Sequence, residues 1–155
     1  MRTPRVALGL ALLAAAGASV AALRAAPALG ELLNTTVFLS KDLKAEEAAG
    51  GTTRRYFDAP TSTLLQLGLR ARTLNPGATP HPAVPNSGPR EQILLVKEGT
   101  LELKLDDKPA ERLDAGSAVF LAPNQVYSVR NPGATPATYY ELNWTSPGMA
   151  GERQF

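Results

Sequence analysis

From residue 52 onward the chain alternates between apolar and polar positions. Leu65, Leu67, Leu69 and Ala71 interleave with Gln66, Gly68, Arg70 and Arg72, the period of two expected of a half-buried strand. Leu101, Leu103 and Leu105 interleave in the same way with Thr100, Glu102 and Lys104. The Asp-Asp-Lys-Pro stretch at 106–109 then turns the chain back toward 111–113, which reads as a hairpin. Residues 93–96 and 118–121 are apolar without a break, as in strands covered on both faces. Residues 126–130 and 138–144 complete the set. About seven short strands with Pro and Gly turns, in roughly a hundred residues, mean a sandwich or a barrel. Before them, 41–49 has the composition for one or two helical turns, with Ser40 as a cap and Gly50-Gly51 as a stop. The hexapeptide NPGATP occurs at 75–80 and again at 131–136. Pro then Gly suits the centre of a type II turn, and the flanking sequences differ, so the two copies read as separate turns rather than a repeat.

The first residues follow another pattern. Arg2 and Arg5 precede 6–23, where Ser19 is the one polar side chain and small residues (Gly17, Ala18, Ser19, Ala21, Ala22) fill the end. Charge, apolar stretch and small-residue exit make a secretory signal, with cleavage near Ala21 or Ala22. An uncleaved membrane anchor is the alternative, although a span needs about 20 apolar residues and this one is short and alanine-rich. No Cys follows for a lipoprotein anchor, and the arginines are not adjacent as a twin-arginine signal requires. The expected layout is a signal peptide or anchor over 1–22, an arm over 23–53, a barrel over 54–146 and a tail over 147–155. The expected location is periplasmic or secreted, with contact to a membrane only through an uncleaved N-terminal segment.

Composition narrows the chemistry. The 155 residues suit one domain and include no Cys and one His, His81. One His excludes a three-His zinc site and a two-His-one-carboxylate iron site within the chain. Lys and Arg number 16 against 14 Asp and Glu, and without Arg2 and Arg5 the two signs are equal. No basic face is left to suggest a nucleic-acid partner.

Two motifs carry a resemblance. One reads Gly77-x5-Ala83-x-Pro85-x6-Gln92-x6-Gly99, the other Gly116-x5-Ala122-x-Asn124-x2-Tyr127-x3-Asn131. Their glycine framing and final Asn resemble the two signature halves of the cupin superfamily, in particular small exported single-domain bacterial cupins. The resemblance implies an all-β, cupin-type jelly-roll barrel. It also implies an interior metal held by His, His, Glu and His, but Ala83, Pro85, Gln92 and Tyr127 stand at those positions. Ala83 and Pro85 have no donor side chain, Gln92 has lost the charge, and Tyr127 is a phenol expected to be protonated near neutrality. The spacer at 86–91 is also longer than usual. The implied metal site therefore fails residue by residue, and neither a metal nor another cofactor is expected.

The expected pocket comprises Gln92 and Tyr127, with Leu94, Val129 and His81. A buried tyrosine hydroxyl needs a partner, and Gln92 is the natural one. The pair is either a ligand-binding device or a polar plug in a lost metal site. Strand alternation puts Glu91 on the face opposite Gln92. Glu141 and Asn143 alternate with Tyr140, Leu142 and Trp144, and the sequence does not say which set faces inward. Tyr139, Tyr140 and Trp144 read as packing aromatics, and the Pro-rich loop 76–89 as a stiff lid. The function expected is an exported protein that binds a small organic molecule without a metal. The alternatives are a metal-dependent oxygenase or isomerase built around His81, and a structural or partner-binding envelope protein with a filled barrel. Because 93–96 and 118–121 are apolar on both faces, the outer face needs either the arm at 25–56 or a second subunit, and a homodimer is expected.

Overall fold

The computed structural model describes residues 30–79, 84–85 and 88–149, and their strands fall into two antiparallel sheets. In chain order these strands are β1 (Glu46–Ala48), β2 (Gly51–Ala59), β3 (Gln66–Leu74), β4 (Val84–Pro85), β5 (Glu91–Glu98), β6 (Thr100–Leu105), β7 (Glu111–Asp114), β8 (Ala118–Leu121), β9 (Val126–Arg130) and β10 (Ala137–Thr145). One sheet runs β1-β2-β3-β10-β5-β8, the other β4-β9-β6-β7. The last long strand lies between β3 and β5; after β5 the chain crosses to the smaller sheet for the β6–β7 hairpin, and β8, β9 and β10 then alternate between the sheets, which is a jelly roll. Leu74, Leu94, Val96, Leu101, Leu121 and Val129 meet between the sheets and form the apolar part of the core. The segment 1–29, and with it the signal or anchor, lies outside the described residues, as does His81.

The arm differs from expectation. Within 40–49, Ser40–Asp42 forms a 3-10 turn with no side-chain cap in place of the expected helical turns. Glu46–Ala48 pairs instead with β2. Gly50 and Gly51 have φ of +74° and +156° and make the reversal between the two strands. A Cβ at Gly51 would lie 2.0 Å from the Thr73 carbonyl oxygen, so only glycine fits there. The glycine pair therefore turns a hairpin rather than stopping a helix. A short helix is marginal alone, whereas an added strand finds ready partners on a sheet edge.

The strand β3 is present, but its buried face is the polar one. Gly68, Arg70, Arg72 and Leu74 share the inward face, while Leu67, Leu69 and Ala71 lie on the outer one. The neighbouring strands agree. Tyr139, Glu141 and Asn143 of β10 and Gln92, Leu94 and Val96 of β5 are buried. Tyr140, Leu142, Ile93 and Leu95 face outward. The double-sided covering expected at 93–96 and 118–121 is not supplied by the described residues: Leu95 is 41% exposed and Phe120 57% exposed.

The two NPGATP turns are bonded to each other and differ in form. The Gly77 N–H donates to the Asn131 carbonyl (2.9 Å), and the Asn131 N–H to the Ala78 carbonyl (2.9 Å). The first copy has its left-handed glycine, Gly77 at φ +71°, and the Ala78 N–H closes onto the Asn75 carbonyl. In the second copy Gly133 is not left-handed. The Asn131 side chain shapes that turn instead, accepting from the Gly133 N–H at 2.9 Å. The type II reading therefore holds for the first copy only.

Candidate functional site

The barrel interior is apolar near the NPGATP turns and polar further along β3, β10 and β5. The register fixes this division. Tyr139 lies opposite Arg72, Glu141 opposite Arg70, and Asn143 opposite Gly68. Across the other edge of β10, Glu141 lies opposite Leu94 and Asn143 opposite Gln92. Period-two alternation then directs all of these side chains to one side of the sheet.

Glu141 anchors the cluster. Arg70 Nε donates to its Oε1 at 3.0 Å, Arg70 Nη2 donates to the same oxygen, and Arg72 Nε stands 3.6 Å from Oε2. The carboxylate is buried, Arg72 is nearly so, and Arg70 keeps 34% of its side chain exposed. A buried carboxylate is tolerated when it is paired and hydrogen-bonded, and two guanidinium groups supply that here. Burial opposes the charge on Arg72, but Tyr139 and Glu141 more than offset it, and its pKa lies above the ordinary value.

Gln92 Nε2 donates to Tyr127 Oη at 3.3 Å, so the structure brings these two predicted residues together across the two sheets. Burial, and after it the Glu141 carboxylate, raise the Tyr127 phenol above its usual pKa. The pair is thus neutral and hydrogen-bonded near neutral pH. Leu94 and Val129 are fully within the apolar core, packed with Leu103 and Leu121. Glu91 lies on the face opposite Gln92. Arg70, Arg72, Glu141 and Asn143 are the residues that sequence reasoning did not place in the site. Their signal was the alternation itself, read without knowledge of which face was inside.

The same cluster predicts alkaline sensitivity. Burial pushes the Tyr139 phenol up to about 12. An exposed tyrosine titrates near 10. Between those values the unfolded chain loses a proton that the folded one keeps, so stability falls as pH rises through this window. Urea unfolding between pH 9 and 12 should register a loss of about 2–3 kcal/mol from this residue, largely absent in Tyr139→Phe.

As a donor set for a divalent cation the interior fits poorly. Glu141 is held by two cationic side chains, Gln92 offers a neutral amide, and Tyr127 is a protonated phenol. A cation placed among them would face two guanidinium charges, whereas such metals want several anionic or imidazole donors converging. Among the described residues no group of three or more His, Cys, Asp or Glu side chains is placed to hold a metal.

Residues 72–143 match the family model of the cupin domain, Cupin_2. The fold resembles KdgF from Halomonas sp. at 17% identity and a TM-score of 0.57, covering 70% of this chain and 94% of that one. It resembles an RmlC-like cupin from Shewanella frigidimarina at 17% identity and a TM-score of 0.55, covering 74% and 95%. A sugar phosphate isomerase of the cupin superfamily from Silicibacter pomeroyi is similar at 15% identity and a TM-score of 0.57, covering 72% and 77%. At such identities the likeness shows the fold. No curated protein matches the chain significantly.

Proposed function

We propose, for a chain that belongs to the cupin superfamily, that the barrel binds a small organic molecule through its polar interior and does so without a metal ion. The observation that carries this reading is the Arg70–Glu141–Arg72 cluster beside the Gln92–Tyr127 pair. A barrel serving only as packing gains nothing from burying so many polar groups, because each one must be desolvated and paired. A pocket that fixes the orientation of a polar ligand uses a few convergent groups of this kind. The leader over 1–22 would deliver the domain outside the cytoplasm.

The test is a ligand-observed NMR screen of small polar molecules against the wild-type protein and the double variant Gln92→Leu/Tyr127→Phe. The reading expects hits that the double variant loses while its fold is retained. No hit that depends on these residues would favour a filled barrel with a structural role.

The same reading includes a dimer through the outer face of the six-stranded sheet. Tyr56, Leu69, Ile93, Leu95, Tyr140 and Leu142 line a groove of about 380 Å³ there. Beside it Phe120, packed on Trp144 at 6.3 Å between ring centres, protrudes into solvent. A two-fold interface needs one patch that carries both a recess and a knob, and this face has the two side by side. Sedimentation at tens of micromolar should give the dimer mass, and Phe120→Glu the monomer mass. A wild-type monomer at that concentration would rule the dimer out.

A further inference from the structure

Where β2, β3 and β10 meet, Arg55, Asp58, Gly68, Arg70 and Asn143, with Phe57 and Leu69, line a small cleft of mixed polarity beside the Glu141 cluster. It leaves about 10 Å³ of free space. That is close to the room one water oxygen needs, so the cleft admits a single hydroxyl-sized group. Its floor carries an unmet requirement: the Asn143 Oδ1 is buried and has no hydrogen-bond partner among the described residues. Residue 68 is glycine, and that absence of a side chain leaves the place taken by the Asn143 amide. A Cβ there would lie 2.9 Å from Asn143 Oδ1 and 3.1 Å from Asp58 Oδ1. The rim carries a charge excess. With Arg72 behind, three guanidinium groups (Arg55, Arg70, Arg72) stand against two carboxylates (Asp58, Glu141), leaving one positive charge. Arg70 directs Nε and Nη2 to a single Glu141 oxygen and is still one-third exposed, so it has donor capacity left at the rim.

From these features we infer that the cleft is a subsite for a small hydroxy acid. A hydroxyl of the ligand enters the water-sized space and donates to Asn143 Oδ1. Its carboxylate stays at the open rim and accepts from Arg70, with Arg55 alongside. A neutral polyol satisfies the first contact and not the second. A carboxylate without a hydroxyl leaves Asn143 unpaired, and a site built to hydrogen-bond a ligand hydroxyl discriminates strongly against analogues that lack it. This inference rests on the ligand-binding reading above and names the ligand class.

Titrating the ¹⁵N-labelled protein and following the Asn143 side-chain amide tests it, with D-gluconate, D-sorbitol and hexanoate as probes. D-gluconate should bind at least about tenfold more tightly than either of the others, the discrimination a hydrogen-bonding site confers. The Gly68→Ala variant, which alters no charge, should abolish that preference. Equal binding of sorbitol and gluconate would leave the barrel a ligand-binding site and overturn the hydroxy-acid inference. Equal binding of hexanoate would overturn the role of Asn143. Absence of any gluconate-induced shift at Asn143 would overturn the inference, while the wider screen against Gln92→Leu/Tyr127→Phe still decides the parent reading. The comparison among the three probes needs only the wild-type protein, so it stands even if Gly68→Ala does not fold.

Discussion

Glu141→Leu is expected to destabilise the folded protein by about 3–5 kcal/mol, the usual cost of removing one partner from a buried ion pair. The reason lies in what it leaves behind. Arg72 is largely buried and would keep its charge with no carboxylate beside it, whereas Arg70 is one-third exposed and can turn to water. Most of the penalty therefore comes from Arg72. A domain of this size has only about 5–15 kcal/mol of stability in total, so urea midpoints should shift strongly. The double variant Arg72→Leu/Glu141→Leu separates the causes. Replacing buried charges by apolar groups of similar volume is often neutral or stabilising, so the double variant should recover most of the loss. A single-variant loss under about 1 kcal/mol would mean that water reaches both arginines, as at a surface pair.

Asn131→Ala should cost a comparable amount, about 3–5 kcal/mol, for a different reason. The side chain is fully buried and uncharged. Its Nδ2 donates toward the carbonyls of Leu74 (3.1 Å), Asn75 (3.2 Å) and Thr135 (2.8 Å), and its Oδ1 accepts from the Gly133 N–H. Alanine would strand several backbone groups at once, and each buried unpaired group costs about 1–3 kcal/mol. Asn131→Asp keeps the acceptor for the Gly133 N–H but sets a buried, unpaired carboxylate against three carbonyl oxygens, so near neutral pH it should cost at least as much as alanine. Equilibrium unfolding in urea measures all three proteins. A cost near 1 kcal/mol for alanine would mean that water replaces the amide.

These two residues show how far the sequence could be read. The glycine framing placed Asn131 at the end of the second motif and aligned Gln92 with Tyr127, and the structure puts that pair in hydrogen-bond contact. The alternation in β3 and β10 gave the strands and their period. It did not give the direction, because period two is the same whichever face is inside. The usual rule that apolar faces turn inward supposes a dry interior. Here the outer face of the larger sheet is apolar and the inner face is partly charged, so the rule inverts at Arg70, Arg72, Glu141 and Asn143. The partnership of Arg70 with Glu141 joins residues 71 positions apart, and only the β3–β10 pairing brings them together. Gly50-Gly51 misled for a local reason, since the same two residues end a helix or turn a hairpin and the nearby sheet edge decides.

The proposed function puts a polar organic ligand, and no metal, in the interior of the barrel. Metal content tests it most directly. The protein would be purified without chelator, incubated with excess Fe(II), Mn(II), Ni(II) or Zn(II), freed of unbound ion by gel filtration, and analysed for each element. Less than about 0.1 equivalent of any of them per chain is expected, since a guanidinium-flanked carboxylate, an amide and a neutral phenol are a poor donor set for such ions. About one equivalent retained by the wild-type protein and lost in Gln92→Leu/Tyr127→Phe would contradict it.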